Sequence, residues 1–158
     1  MSGPVSGPVS GTGAIREIEQ LKYRYVRCFD TKDWAGFEAT MLPGTTAAYA
    51  GLDFADREAI LAYMRGHVGP EIVTMHLVHH PEITLTDDGA ATGRWYLKDT
   101  VFVTSADLVI EGAAFYTDRY VRTPSGWRIA HTGYERTWEA SYSVSDRPGW
   151  TLKAPGLG

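Results

Sequence analysis

The first half of the chain repeats apolar residues at every third or fourth position. The earliest stretch carries them at Ile15, Ile18, Leu21 or Lys22, Tyr25, and Cys28 with Phe29. This spacing predicts an amphipathic helix of about five turns. Asp33 and Asp56 are suitable N-caps for two further helices, because an aspartate side chain accepts hydrogen bonds from free backbone N–H groups. We assign the second helix to Trp34, Phe37 and Met41 and the third to the stretch REAILAYMRGHV.

A period of two replaces this pattern after Pro70. Long alternating segments follow, with the sequences IVTMHLVHHPEITLT, AATGRWYLKDTVFVT, LVIEGAAFYTDRYVRT and GWRIAHTGYERTW. Their connections DDG, SAD and PSG have the composition of tight turns. Consecutive strands joined in this way favour an antiparallel meander, and TTAAYAG predicts one further short strand. The chain is therefore predicted to be an α+β protein, in which three N-terminal helices pack on a curved sheet.

Composition favours one domain without a polyanionic partner. The chain has 158 residues, and its formal net charge of −4 does not suggest nucleic-acid binding, which normally requires a basic face. No apolar run is long enough to span a membrane. The single cysteine excludes an internal disulfide and fits a reducing compartment, so we expect a cytoplasmic protein. The repeated SGPV sequence predicts a disordered tail over residues 1–12, followed by a domain over 13–139 and a C-terminal arm over 140–158.

Two polar residues are unexpected near the end of the first helix. Tyr25 lies on the apolar stripe, where its hydroxyl needs a partner, and Asp30 faces the negative end of the helix dipole. Structural explanations exist for both: Tyr25 as a core residue bonded to the backbone, and Asp30 as a surface acid or a cap for the next turn. The functional alternative is that both are directed into a pocket.

Three of the five histidines lie in the short stretch HLVHH. Alternation separates His76 and His80 from His79. A metal site is disfavoured, because no cysteine or carboxylate completes a recognisable ligand spacing. His76 is the best candidate for a functional histidine because it lies in mid-strand, whereas the other two approach a predicted turn at Pro81. A histidine packed in the sheet without a function is the alternative.

Asp99 is the most informative residue of the following strand. It shares the more apolar face with Trp95, Leu97 and Val101, where an unpaired carboxylate would be costly. We predict that its partner is a histidine on a neighbouring strand. The alternative is a purely structural pair with an arginine.

The last strand contributes two weaker candidates. Alternation groups His131 with the apolar Trp127 and Ile129, and it places Arg136 with Tyr134 on the opposite face. His131 is either a second acid or base of the pocket or a satisfied residue of the sheet. Arg136 either binds an anionic group of the substrate or pairs with a nearby surface acid.

Taken together, the helix end RYVRCFDTKDW, the strand TMHLVHHPEI and the hairpin GAAFYTDRYVRTPSGWRIAH resemble the nuclear transport factor 2-like superfamily, in its SnoaL-like branch. The resemblance implies a cone-shaped fold, in which a bent antiparallel or mixed sheet wraps against three helices around one apolar pocket. The superfamily hosts many reactions and also non-enzymes, so function has to come from the pocket. Members often associate through the sheet, which implies a homodimer or homotrimer formed by the outer face with Tyr96, Lys98 and Phe102.

The motif pattern is most similar to that of bile-acid dehydratases and scytalone dehydratase-like enzymes. Bile-acid dehydratases use a tyrosine, an aspartate five residues later, a histidine on the following strand and an aspartate on the next one. Tyr25, Asp30, His76 and Asp99 fall at matching places, so the resemblance implies that they are catalytic. Scytalone dehydratase is similar at TMH but has a second pocket histidine near Asp99. Hexachlorocyclohexane dehydrochlorinase is similar through an Asp–His dyad, which matches Asp30 and His76.

The hypothesis is a cofactor-independent and metal-free dehydratase, a lyase that removes an α-proton and expels water from a hydrophobic cyclic, polyketide-like or steroid-like substrate. In it His76 is the general base, Asp30, Asp99 or both orient it, and Tyr25 polarises the carbonyl or the leaving hydroxyl. The residues predicted to bind substrate are Trp95, Tyr49, His131 and Arg136. The alternatives are an isomerase, a cyclase or a dehydrohalogenase acting through the same dyad, or a non-catalytic binder of hydrophobic ligands.

Overall fold

A computed structural model describes residues 11–86 and 88–154 of the chain. Its helices are α1 (Gly11–Asp30), α2 (Trp34–Ala39) and α3 (Arg57–His67). Its strands are β1 (Met41–Tyr49), β2 (Leu52–Phe54), β3 (Ile72–Leu85), β4 (Ala90–Val103), β5 (Leu108–Thr123) and β6 (Gly126–Ser143). Short 3-10 helices cover Thr104–Ala106 and Val144–Asp146. The predicted tail over residues 1–12 lies outside the described residues, except for Gly11 and Thr12, which belong to α1.

α2 and α3 begin where the sequence predicts, whereas α1 already begins at Gly11, within the predicted tail. Asp33 accepts a hydrogen bond from the Gly36 amide at 2.9 Å, and Asp56 accepts one from the Ala59 amide at 2.8 Å. The second helix is shorter than predicted, because Met41 is the first residue of β1. The Thr40 carbonyl accepts a hydrogen bond from Ile129 in β6 at 2.9 Å, so the chain has already joined the sheet at this point.

The six strands form one mixed sheet in the order β2-β1-β6-β5-β4-β3. Strands β3 to β6 are the predicted antiparallel meander. β1 pairs with β6 in parallel and with β2 in antiparallel fashion, which makes the sheet mixed. The three helices share one hydrophobic core with the sheet face that carries Trp95, Leu97 and Asp99, which we call the inner face. This is the predicted α+β architecture.

The sequence predicted a turn at Pro81, but β3 continues through this residue. Its register with β4 shifts between His79 and Glu82, and His80 has a φ of 48°. The extra residue forms a bulge, a position at which a strand tolerates proline because no ladder N–H is needed there. The strand therefore continues to Leu85.

A second bulge changes which side chains of β6 face inwards. Arg119 pairs with His131 whereas Tyr120 pairs with Ile129, so Ala130 is an extra residue in β6. An extra residue reverses the alternation beyond it. The predicted grouping of His131 with the apolar face is therefore wrong, and Arg136 lies on the inner side instead.

Within the predicted C-terminal arm, residues 140–143 belong to β6 and Trp150 packs on the outer face of the sheet. Trp150 stacks on Phe102 with ring centroids 5.6 Å apart, and Phe102 points away from the face that carries Asp99. The same outer face exposes the large apolar side chains of Met75, Leu77, Tyr96 and Trp138. Association through this face stays a prediction. Among the described residues, no helix is both long and apolar enough to cross a membrane.

A buried ion pair joins α1 to the centre of the sheet. Lys22 and Asp118 have side chains that are both 0% exposed, and Lys22 Nζ lies 2.8 Å from Asp118 Oδ2. Burial lowers the pKa of Lys22 from its ordinary value, and Asp118 opposes that effect. Removing one member of such a pair leaves an uncompensated buried charge, which is more damaging than removing both.

We therefore expect Lys22→Met to lower the free energy of unfolding by about 3–5 kcal/mol. The double variant Lys22→Met/Asp118→Leu should recover most of that loss, because no unpaired charge remains. Urea unfolding followed by circular dichroism measures both values. A double variant less stable than Lys22→Met would contradict this account of the pair.

Candidate active site

The inner face and the helices enclose an apolar cavity of about 270 Å³. Each of the six strands contributes to its wall, together with α1 and α3. Its polar lining residues are Tyr25, Tyr49, Tyr63, Thr74, His76, Asp99, Tyr116, Tyr134 and Arg136. Its apolar lining residues are Val26, Phe29, Ala50, Leu52, Phe54, Met64, Val68, Ile72 and Val101. Polar groups are therefore placed within a largely hydrophobic wall, as is typical of a small-molecule site.

His76 and Asp30 form a dyad at this wall. Asp30 Oδ1 lies 2.6 Å from His76 Nδ1, and Asp30 Oδ2 accepts the backbone N–H of His76 at 2.9 Å. The Thr74 hydroxyl donates to Asp30 Oδ1 at 2.7 Å. Because the carboxylate accepts the Nδ1 hydrogen, the neutral ring keeps its lone pair on Nε2. This geometry is what a histidine base requires.

The position of Asp30 at the end of α1 is explained by these contacts. A carboxylate there opposes the helix dipole, at a cost of about 0.3–1 kcal/mol. Three donors from β3 outweigh this cost, because each hydrogen bond to a charged group contributes about 1.5–3 kcal/mol. The Phe29 ring packs edge-on against the His76 ring, with centroids 5.2 Å apart, and limits how the imidazole can tilt.

Asp99 has a different partner from the one predicted. Arg136 Nη1 and Nη2 donate to its two carboxylate oxygens at 2.5 and 2.8 Å, and the predicted partner, a histidine, is wrong. His76 lies directly opposite Asp99 in the β3–β4 register but is held by Asp30 instead. The Asp99 hydrogen bonds raise the pKa of Arg136 above its usual range. The pair lines the cavity as a bidentate, charge-compensated unit.

Gly112 in β5 gives the Arg136 side chain room to reach Asp99. It pairs with Asp99 on one side and with Glu139 on the other. A Cβ atom on Gly112 would overlap the guanidinium, with Cζ only 2.9 Å away, and it would also lie 3.1 Å from the Trp138 carbonyl oxygen. The Arg136 guanidinium therefore occupies the space that a side chain at position 112 would fill.

Four tyrosines cover another part of the cavity wall. The hydroxyls of Tyr25 and Tyr49 are hydrogen-bonded to each other, and Tyr134 stacks on Tyr49 with centroids 5.7 Å apart. Tyr116 meets the Tyr134 ring edge-on at 5.6 Å. Burial is the main cause that raises the pKa of Tyr25, Tyr49 and Tyr116 well above the usual range. These phenols therefore stay protonated and can donate hydrogen bonds to a ligand oxygen.

Two of the predicted substrate-binding residues do not reach the cavity. Trp95 is 0% exposed, and its indole N–H donates to the Tyr120 hydroxyl at 3.0 Å, deeper in the core. The bulge at Ala130 turns His131 away, where its Nδ1 lies 2.7 Å from the Thr46 hydroxyl. Burial lowers the pKa of His131.

The other predicted site residues do meet. One cavity is lined by Tyr25, Tyr49, His76, Asp99 and Arg136. Asp30 is not among the lining residues but is hydrogen-bonded to His76. Their assignment as catalytic or substrate-binding residues stays a prediction. Within residues 11–86 and 88–154, no group of three or more histidine, cysteine, aspartate or glutamate side chains could hold a metal ion.

Sequence reasoning gave no role to two residues next to the site. Lys22 follows Ile18 by four positions and so belongs to the buried stripe of α1. Asp118 alternates with the buried Tyr116 and Tyr120 along β5. Each is a charged residue at a buried position of a regular pattern, and together they are an ion pair. A charged residue at a buried position of a periodic pattern was thus the sequence feature that could have predicted this ion pair.

The chain belongs to the SnoaL-like domain family, whose pattern matches residues 12–133, within the nuclear transport factor 2-like superfamily. Among solved structures, a proposed scytalone dehydratase from Novosphingobium aromaticivorans is 18% identical, with a TM-score of 0.75 over 82% of this chain and 88% of that one. A hexachlorocyclohexane dehydrochlorinase, LinA type 2, is 14% identical, with a TM-score of 0.78 over 92% and 97%. Aln2 from a Streptomyces species is 26% identical, with a TM-score of 0.66 over 77% and 89%.

We expect Gly112→Ala to displace the Arg136 guanidinium from Asp99, because the new methyl group would fill the space that the guanidinium now occupies. The free energy of unfolding should fall by about 1–3 kcal/mol, since the Asp99 carboxylate then lacks its donors. Gly44→Ala is the matched control, because Gly44 also lies in a strand and a Cβ there has no atom within 4 Å. A crystal structure and urea unfolding of both variants test this. If Arg136 keeps its position in Gly112→Ala, the Arg136–Asp99 pair does not depend on the space beside Gly112.

Proposed function

We propose that the protein is a cofactor-independent dehydratase that removes water from a hydrophobic β-hydroxy ketone or thioester. One observation carries this proposal: His76, oriented by Asp30, lines an apolar cavity that also contains a pair of protonated tyrosines. Loss of an α-proton needs a base on the carbon and a donor on the carbonyl oxygen. The cavity holds both, in an environment that strengthens such interactions.

The reaction would begin with His76 Nε2 taking the α-proton. The C–H electron pair then moves into the enolate, whose oxygen accepts a hydrogen bond from the tyrosine pair. Asp30 holds the Nδ1 hydrogen and stabilises the imidazolium that forms, as a carboxylate partner does in other histidine dyads. The enolate re-forms the carbonyl and expels the β-hydroxyl, which takes the proton from His76 and leaves as water. Base and acid are the same residue, so the site returns to its starting state.

The Asp99–Arg136 pair has a separate part in this proposal. Because Arg136 occupies both oxygens of Asp99, this carboxylate does not orient His76. We assign the pair to binding the β-hydroxyl that departs. Arg136 keeps a guanidinium edge near the cavity and can donate to an oxygen that becomes more negative as the C–O bond breaks.

The size of the cavity limits the reacting part of the substrate. A protein cavity of about 150 Å³ holds benzene. The volume of about 270 Å³ found here therefore fits one or two rings. A steroid-sized molecule would have to extend beyond the cavity, with only its reacting ring inside.

His76→Ala should lower turnover of cyclic β-hydroxy ketones by about 10²- to 10⁴-fold, because it removes the base. The assay follows enone absorbance for a panel of one- and two-ring ketones, with α-proton exchange in D₂O measured by NMR on 2-tetralone. His79→Ala is the matched control, since His79 is exposed on the other face of β3. Full activity of His76→Ala would rule the mechanism out. Exchange without water loss would favour an isomerase, a cyclase or a dehydrohalogenase on the same dyad.

Asp30→Asn should lower turnover by about 10²-fold while binding of the substrate changes little. An asparagine offers one acceptor oxygen to the three donors that now share two oxygens, so the His76 ring loses its orientation. Asp53→Asn, at an exposed position of β2, provides the comparison. Steady-state kinetics on the same ketones give kcat and KM for each variant. A lower affinity with unchanged kcat would remove Asp30 from the proposed role.

A further inference from the structure

The cavity opens to solvent at the turn between β1 and β2. Among the residues that line the cavity, Ala50 and Leu52 are exposed and the others are buried or half-buried. Leu52 is 43% exposed although it is a large apolar residue. A wall residue that solvent reaches to this extent lies at the rim of the cavity. The dehydratase mechanism uses neither of these two residues.

The pairing of β1 with β2 shows that the Leu52 side chain is on the cavity side of the hairpin. Leu52 lies directly opposite Tyr49, and Phe54 lies opposite Ala47. Residues directly opposite each other in an antiparallel pair share one face of the sheet. Tyr49 and Phe54 both line the cavity, with ring centroids 5.8 Å apart. The exposed surface of Leu52 therefore continues the apolar wall of the cavity outwards.

The hairpin that carries this rim has a defined shape. Ala50 and Gly51 have φ values of 47° and 85°, and positive φ at both central residues is typical of a tight two-residue type I′ turn. Phe54 of β2 packs on Tyr63 of α3, with ring centroids 5.2 Å apart. A tight turn held by such a contact is preorganised, so little ordering is needed when a ligand binds to it.

Leu52 and His76 lie at opposite edges of the sheet. They belong to β2 and β3, which are its two edge strands. α3 connects these edges, with two residues between β2 and α3 and four between α3 and β3. The 11 residues of α3 span about 16 Å. A single ring placed beside His76 therefore leaves Leu52 uncovered, and a substrate that contacts both residues must be elongated.

We propose that Leu52 and Ala50 bind the distal, apolar end of an elongated substrate whose reacting ring lies beside His76. The inference rests on the proposed function for the position of that ring. The distal end is uncharged, because residues 50–54 include no basic side chain and their single ionisable residue, Asp53, is an exposed acid that repels anions. The substrate is then a cyclic β-hydroxy ketone that carries a further apolar ring or an alkyl chain, and Leu52 determines the preferred length.

The test uses 4-alkylcyclohexanones, in which the ketone ring is constant and the alkyl chain lengthens from methyl to heptyl. Isothermal titration calorimetry measures their dissociation constants, and no turnover is needed. In the unmodified protein affinity should rise along the series, because each methylene group that becomes buried contributes about 4-fold. The increase should continue after the cavity is full, since the chain then lies on the rim.

Leu52→Ala should weaken binding of the heptyl ketone by about 4- to 10-fold and leave binding of the methyl ketone unchanged, because only the long chain reaches the rim. Leu52→Met keeps a similar apolar volume and should bind both ketones as the unmodified protein does. Leu77→Ala is the matched control, since Leu77 is 40% exposed but lies on the outer face of β3, away from the cavity. It should change neither dissociation constant.

The difference between the two ketones decides the proposal. It would be overturned if the unmodified protein bound both equally, if Leu52→Ala weakened both or neither, or if Leu77→Ala reproduced the effect of Leu52→Ala. A heptyl chain that ends in a carboxylate should bind more weakly than the plain heptyl chain, and tighter binding would contradict an uncharged distal end. Circular dichroism confirms that each variant is folded. Failure of the dehydratase itself appears separately, as unchanged turnover in His76→Ala.

Discussion

The carboxylate of Asp30 is the contact on which the site depends most directly. It ends α1, takes three donors from β3 and thereby fixes the helix relative to the sheet. The same contact gives His76 its tautomer and its direction. The hydrogen bonds from β3 offset the free-energy cost of placing an acid at the negative end of a helix. The same carboxylate has a role in the proposed chemistry.

Charges inside the cavity are paired separately, and this separation decides what each can do. Asp30 holds His76 and Asp99 holds Arg136, although His76 and Asp99 face each other across neighbouring strands. A base must lose and regain a proton, whereas a bidentate arginine pair keeps its charges throughout. Had Asp99 also contacted His76, the imidazolium would have been stabilised twice and would have released its proton less readily.

Sequence patterns predicted much of the fold and part of the site, for identifiable reasons. Strict alternation holds along β4 and the first half of β3, so His76 and Asp99 were placed on the correct face. Alternation fails in β6, where the bulge at Ala130 exchanges the faces of His131 and Arg136. A bulge depends on how two strands pair, and the pattern of one strand does not contain that information. The pairing of Asp99 was unpredictable for the same reason, because it requires Gly112 on a third strand.

A single helix, α1, carries residues of both the tyrosine pair and the Asp30–His76 dyad. α1 supplies Lys22 to the buried ion pair, Tyr25 to the tyrosine pair and Asp30 to the dyad. A helix packed in a close-packed core moves as a unit, so a shift of α1 displaces all three contacts together. Tyr25 and the Asp30 carboxylate that holds His76 are therefore positioned by the same helix. A reaction that removes a proton beside a carbonyl while a donor binds its oxygen needs base and donor in a fixed relative position. In the proposed mechanism, the packing of α1 on the sheet supplies that position.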